Sequence, residues 1–178
     1  MTAIDTLVAR NARFASDLHT DLPQLPRLRT CVVTCPDPRV DPAQILGLEL
    51  GDAAVVRAAA GRISPIVLQQ LMFLVASAPA GQDITDGFEL ILMQHTDCGI
   101  ARLDVPEHHA GLAAFLGCAV DELPGKHVSD PYEAVRVDVD AVAGNAFLPA
   151  ELAVTGIVYD LASGRVEIVE RRDRLRAS

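Results

Sequence analysis

The sequence predicts an α/β domain with a mostly parallel central sheet, and three observations lead there. Short apolar segments over residues 28–35, 53–57 and 88–93 read as buried strands, because their apolar residues run on without polar alternation. Segments with helical spacing and recognisable caps separate them, and strands alternating with helices imply parallel pairing with both sheet faces covered. Residues 152–159, the turn Ser163-Gly164 and residues 166–169 then read as a closing strand-turn-strand.

Taken in order, Thr6 to about Leu18 suits an amphipathic helix capped by Asp5, with Leu7, Val8 and Phe14 as its apolar contacts. The proline-rich run from Leu22 to Pro26 breaks it. Residues 1–27 form an N-terminal helical arm, and 28–178 form the core of one domain, a division that suits a chain of 178 residues. After the first strand, Asp41-Pro42 supplies a cap and a first-turn proline for a short helix ending near Gly47. Ser64-Pro65 opens the clearest helix, in which Val67, Leu68, Leu71, Leu74, Val75 and Ala78 recur before Pro79 and Gly81. The third strand runs directly into Gln94-His95. Asp130-Pro131-Tyr132-Glu133 has the form of a capping box, followed by Val135, Val139 and Val142 on one helix face.

Composition excludes several classes of protein. Half the residues are hydrophobic and 22% are charged, as in an ordinary globular domain. No apolar run approaches the ~20 residues of a membrane span, and the N-terminus lacks the layout of a secretory signal, so no membrane partner is expected. A net charge of -9 argues against nucleic acid, which requires a basic stripe. The four cysteines come without an export signal, which favours a reducing cytoplasmic setting and raises the question of metal.

Ligands of open α/β sheets collect beyond the carboxyl ends of the strands, and Cys35 and His95 each fall at such an end. In His95-Thr96-Asp97-Cys98-Gly99, a histidine ending a strand and a cysteine three residues on can face one point. Thr96 or Asp97 would cap the next helix and put Cys98 in its first turn, where the helix end favours thiolate. Taken alone, the pair also fits a half-buried histidine beside a core cysteine. In Cys35-Pro36-Asp37-Pro38-Arg39, an extended segment puts Asp37 and Arg39 on one side, with Arg39 holding the carboxylate ionised. Taken alone, that pair equally fits a surface turn.

Together, Cys35, His95 and Cys98 offer two thiolates and one imidazole, leaving Zn2+ one open position, as in a catalytic site. A water there becomes a nucleophile near neutral pH, and Asp37 is placed to accept its proton and aim its lone pair. Asp37 is also placed to take the fourth position itself, in a closed state. Cys31 suits a core thiol better than a fourth ligand, and Cys118 a structural or free thiol. His108-His109 reads as an exposed loop, with a proton-shuttle role left open. Arg57 and Arg62 suit ion pairs, with an anion role left open.

On these residues the chain resembles the β-class carbonic anhydrases, whose pattern is Cys-x-Asp-x-Arg followed, after a helix and a strand, by His-x-x-Cys-Gly. Both halves are present, as Cys35-Asp37-Arg39 and His95-Cys98-Gly99, and the resemblance runs from the N-terminal helix through Thr155-Gly156-Ile157-Val158-Tyr159-Asp160. The short length is similar to the compact branch of that family. The resemblance implies a zinc lyase that reversibly hydrates carbon dioxide to bicarbonate and a proton, through a zinc hydroxide oriented by the Asp-Arg pair. It also implies a homodimer or higher homo-oligomer in which the N-terminal helix packs on a partner subunit. Two alternatives stand beside it: hydrolysis of carbonyl sulfide or carbon disulfide at the same site, and a catalytically silent zinc-binding interaction protein. One stretch departs from the pattern. Where the family usually reads Arg-Asn-Ala-Gly-Gly, this chain reads Arg57-Ala58-Ala59-Ala60-Gly61, which would alter pocket hydrogen bonding or crowd the backbone near the metal.

Overall fold

The computed structural model describes residues 2–16, 22–78 and 87–176. Its elements are α1 (Ala3–Ser16), β1 (Thr30–Thr34), α2 (Pro42–Leu46), β2 (Ala53–Arg57), α3 (Pro65–Ala76), β3 (Glu89–His95), α4 (Pro106–Leu116), α5 (Pro131–Ala143), β4 (Ala153–Asp160) and β5 (Arg165–Arg172). Short 3-10 turns lie at Ala59–Gly61, Gly99–Leu103 and Val120–Lys126. The sheet order is β2-β1-β3-β4-β5; the first four strands are parallel and β5 returns antiparallel to β4. This is the single α/β domain, with a mostly parallel sheet and a terminal hairpin, that the strand–helix alternation predicts.

Alternation of side chains along each strand divides the core. Cys31, Val33, Leu90 and Leu92 face Val67 and Leu71 of α3 and Val135, Val139 and Val142 of α5. Val32, Met93 and Ile157 face the other way, onto Val40 and the α2 region. Each fully buried valine or leucine of this kind contributes roughly 1.5–3 kcal/mol. Gly156 allows α5 to seat closely on β4, since a Cβ there would meet Val135 and Val139 methyls at 3.0 Å. A satellite cluster of Ile100, Leu112, Ala113, Leu116, Leu123 and Val128 sits under α4, beside the carboxyl ends of the strands. Among the described residues, no helix is long and apolar enough to cross a membrane.

The caps read from sequence at Asp41, Ser64 and Asp130 all form: each carboxylate or hydroxyl accepts from backbone N–H groups of the first helical turn. Four local readings need correction. The Asp130 box is half made: the Asp130 N–H is taken by the His127 carbonyl, so Glu133 pairs with Arg136 instead. Asp5 is not the cap of α1. The helix begins earlier, and Asp5 accepts from the Thr2 N–H while Thr2 Oγ1 accepts from the Asp5 N–H. Leu7, Val8 and Phe14 touch no core and are more than half exposed, and no α1 residue is buried; positions 17 and 18 lie outside the described residues. His108 and His109 belong to the first turns of α4 rather than to a loop. The signal was in the sequence: Pro106 suits the first helical position and Gly117 takes the left-handed C-cap.

Candidate metal centre

The sheet register brings the candidate ligands together. Thr34 ends β1 opposite Arg57 and Met93, so Cys35 leaves the sheet one residue beyond, beside Gln94 and the terminal His95 of β3. After His95 the chain reverses through Thr96 and Asp97, Asp97 taking a left-handed φ of 54°. That reversal returns Cys98 toward Cys35. Cys98 is the N-cap of a 3-10 turn, not a first-turn residue, and neither Thr96 nor Asp97 caps it. Thr96 Oγ1 instead accepts from the Leu161 N–H at 3.0 Å, fastening this turn to the end of β4. A 3-10 turn this short has little dipole, so thiolate formation depends on the neighbours of the sulfurs.

The ligand atoms of Cys35, His95 and Cys98 lie within 4.8 Å of one another. The two sulfurs are 4.0 Å apart. Tetrahedral zinc with bonds of ~2.3 Å sets two thiolates ~3.8 Å apart, so the spacing needs almost no adjustment. His95 Nδ1 lies 2.9 Å from the Thr96 carbonyl, which can only accept, so Nδ1 carries the proton. Nε2 is left with its lone pair, buried and without a hydrogen-bond partner. A carbonyl that fixes the tautomer behind an orphaned ring nitrogen is the usual support of a metal-binding histidine. The donor set fits zinc.

The thiols titrate as a pair. Donation from Cys98 stabilises a thiolate at Cys35 and lowers that group, against the opposing effect of burial. The thiolate so formed, together with burial, raises Cys98 well above an ordinary thiol. Burial depresses His95, but the Cys35 thiolate and the Thr96 carbonyl outweigh it and leave the ring raised overall. A dication at this point would remove the repulsion that keeps the second thiol protonated.

Asp37 and Arg39 meet through a turn rather than an extended segment. The Val40 N–H donates to the Asp37 carbonyl at 3.0 Å, Pro38 occupies the second turn position, and the Arg39 N–H donates to Asp37 Oδ1 at 2.9 Å. The guanidinium adds Nε to Oδ1 at 3.0 Å and Nη2 to Oδ2 at 2.7 Å. These side-chain and backbone bonds from Arg39 hold the Asp37 carboxyl well below the usual carboxylate range. Arg39 also donates to Asp97 Oδ2 at 2.7 Å, a partner that sequence spacing did not disclose. Arg57 braces the same loop by pairing with Asp41 at 2.6 Å and reaching the Cys35 and Val40 carbonyls. Both Arg57 and Arg62 are ion-paired.

Two cavities flank the centre. The larger, of about 550 Å³, is lined by Cys35, Asp37, Cys98, Ala60, His108 and Phe115 among others. The second, of about 310 Å³, lies toward Arg62, Gln94 and His95. Ala60 borders both, is buried, and holds φ 57°, ψ 12°, a conformation suited to glycine. Gly61 beside it cannot be replaced cheaply, since a Cβ would stand 2.8 Å from the Met93 carbonyl oxygen. Ala58, by contrast, packs against the main core and lines neither cavity. A third cavity, of about 180 Å³ around Cys31, Leu71 and Phe88, lies at the amino ends of the strands, away from this chemistry. Cys31 is a core thiol that burial pushes up to about 12. Cys118 packs on the satellite cluster, against which Cys98 also packs, but its sulfur is not among the grouped ligand atoms.

No family model matches the chain. The β-carbonic anhydrase 1 of Mycobacterium tuberculosis is 28% identical over 169 residues, covering 95% of this chain and 99% of its own. A crystal structure of carbonic anhydrase from Streptococcus mutans superposes with a TM-score of 0.75 at 29% identity, covering 96% of this chain and 99% of its own. The carbon disulfide hydrolase of an Acidianus species is 25% identical, over 78% of this chain and 76% of its own.

Proposed function

We propose that this chain, which belongs to the β-class carbonic anhydrase family, catalyses the reversible hydration of carbon dioxide to bicarbonate with zinc as cofactor. The observation that carries the reading is the Cys35, His95 and Cys98 cluster beside a carboxylate locked ionised by Arg39. Cys35, His95 and Cys98 would hold the zinc and leave one position open. Zinc, when bound, supplies an acidified water at that position.

The other tasks fall to side chains of the chain. Asp37, ionised and acceptor-only, would take a hydrogen bond from a water at that position and so orient it toward the apolar cavity. Arg39 occupies both carboxylate oxygens from one side, which fixes the plane of the group. Carbon dioxide, small and apolar, enters along Ala60, Leu112 and Phe115 and needs few donors to be bound productively. Bicarbonate leaves by the same route, and the proton passes to buffer.

The exposed apolar face of α1 supports a homodimer or larger homo-oligomer in which this helix covers a second copy. Four cysteines without a disulfide among the described residues suit the cytoplasm. A second reading, hydrolysis of carbon disulfide or carbonyl sulfide at the same centre, is favoured by the likeness to the Acidianus enzyme. Zinc analysis and stopped-flow assays of purified protein on carbon dioxide and on carbonyl sulfide decide between them. About one zinc per chain with faster carbon dioxide turnover is expected; zinc without hydration would leave the second reading or a silent zinc protein.

A further inference from the structure

We propose that Asp97 is a positioning residue that acts through Arg39 to keep Asp37 aimed at the open metal position. This rests on the roles proposed above for Asp37 and Arg39. Asp97 stands between two candidate ligands, in the reversal from His95 to Cys98, whereas Asp37 stands in the separate loop that follows Cys35. Arg39 joins the two loops. Its Nε and Nη2 engage Asp37, its Nη1 donates to Asp97 Oδ2 at 2.7 Å, and its Nη2 also reaches the Asp97 carbonyl at 3.1 Å. With every guanidinium nitrogen engaged across two directions, the planar group has one orientation left.

The need for such an anchor follows from exposure. The Arg39 side chain is 48% exposed, and an exposed arginine held by one carboxylate alone swings with it and is worth little. Asp97 supplies the second anchor, and the residue adopts a left-handed backbone (φ 54°) that tolerates aspartate and asparagine better than most side chains. Arg102 also adds positive charge near Asp97. Losing the Asp97 charge would free Arg39 to move with Asp37, and Asp37 could then leave its aimed position and approach the metal.

The test is a double-mutant cycle between Asp97→Asn and Arg39→Ala on zinc-loaded protein, repeated with cobalt in place of zinc. Asparagine suits the same backbone and keeps the carbonyl contact, and Asp97→Gly is the second variant should Asp97→Asn misfold. In the parent background, Asp97→Asn should lower kcat by about tenfold with KM within about twofold, as expected for misorientation of a reacting group. It should also move the visible cobalt spectrum toward that of Arg39→Ala. In the Arg39→Ala background the same change should be silent in both readouts. Equal losses in both backgrounds would make Asp97 merely structural and overturn the proposal, as would a parental cobalt spectrum in Asp97→Asn. The cobalt spectra decide the matter even if carbon dioxide is not the substrate, so failure of the functional reading is told apart from failure of this one.

Discussion

The Arg62 guanidinium and the Asp138 carboxylate form a fully buried ion pair one residue behind His95. Nε donates to Oδ2 at 2.9 Å and Nη2 to Oδ1 at 3.2 Å, between side chains 1% and 3% exposed. Asp138 also accepts from the Ile63 N–H and from Gln94 Nε2, so α5 fastens both the Ala60 turn and the end of β3. Burial pushes the Asp138 carboxyl up, and Arg62 offsets this only in part. Asp138→Ala would strand a buried cation and should cost about 3–5 kcal/mol in denaturant unfolding. Replacing the pair together, Arg62→Met with Asp138→Leu, should recover only part of that loss, because the Ile63 N–H and the Gln94 amide stay without their acceptor. A single variant within about 1 kcal/mol of the parent would contradict the assignment.

Ala60→Gly should stabilise the protein. The left-handed backbone costs a residue with a Cβ about 1–2 kcal/mol, and the extra unfolded-state freedom of glycine returns part of that. A net gain of about 0.5–1 kcal/mol corresponds to a melting temperature higher by about 1–4 °C for a domain of this size. Carbon dioxide turnover should change by about tenfold or less, even with Ala58→Asn added, because neither position supplies a ligand or the aimed carboxylate. Calorimetry showing a lower melting temperature for Ala60→Gly would mean the methyl contributes more by packing than the backbone loses.

Asp37→Asn should keep its zinc and lose most hydration activity, a fall of about 10²-fold or more. The amide can donate toward the water and misorient it, and its pairing with Arg39 loses a charge. Metal content and stopped-flow rates on the same preparation check this. Parental turnover would reduce Asp37 and Arg39 to a surface turn.

Zinc uptake by the metal-free protein should release about one to two protons per chain near neutral pH. The Cys35 thiol, lowered by Cys98, is already ionised there; the Cys98 thiol, raised by Cys35 and by burial, still holds its proton; His95, raised overall by the Cys35 thiolate and the Thr96 carbonyl, takes up a proton more readily than a free imidazole. Below neutrality the count should climb toward three as His95 and then Cys35 become protonated, so affinity falls steadily with acid. Titration calorimetry in buffers of different ionisation enthalpy measures the count, and a release of two or more at about pH 8 would show that the thiols are not coupled. Cys98→Ser should strip most of the metal, since an alcohol is a poor zinc ligand at neutral pH.

The strands, most of the helix caps and the identity of the candidate ligands were legible in the amino-acid order alone. Those are local matters: Ser64-Pro65, Asp41-Pro42 and the unbroken apolar runs act within a few residues, and Cys35 and His95 read as strand ends for the same reason. Helix α4 was equally legible in Pro106 and Gly117, although its apolar face is short and its two histidines suggest a loop. Spacing paired Asp37 with Arg39, but the charges whose partners are distant in the chain met them only through the folded arrangement. Arg62 finds Asp138 across 76 residues and Arg39 finds Asp97 across 58, and no spacing rule relates such partners. The orphaned His95 Nε2, the 4.0 Å between sulfurs and the strained Ala60 likewise depend on strand register and on a chain reversal. Periodicity is written in neighbours along the chain, whereas ion pairing and metal geometry are set by which strand ends the sheet brings side by side.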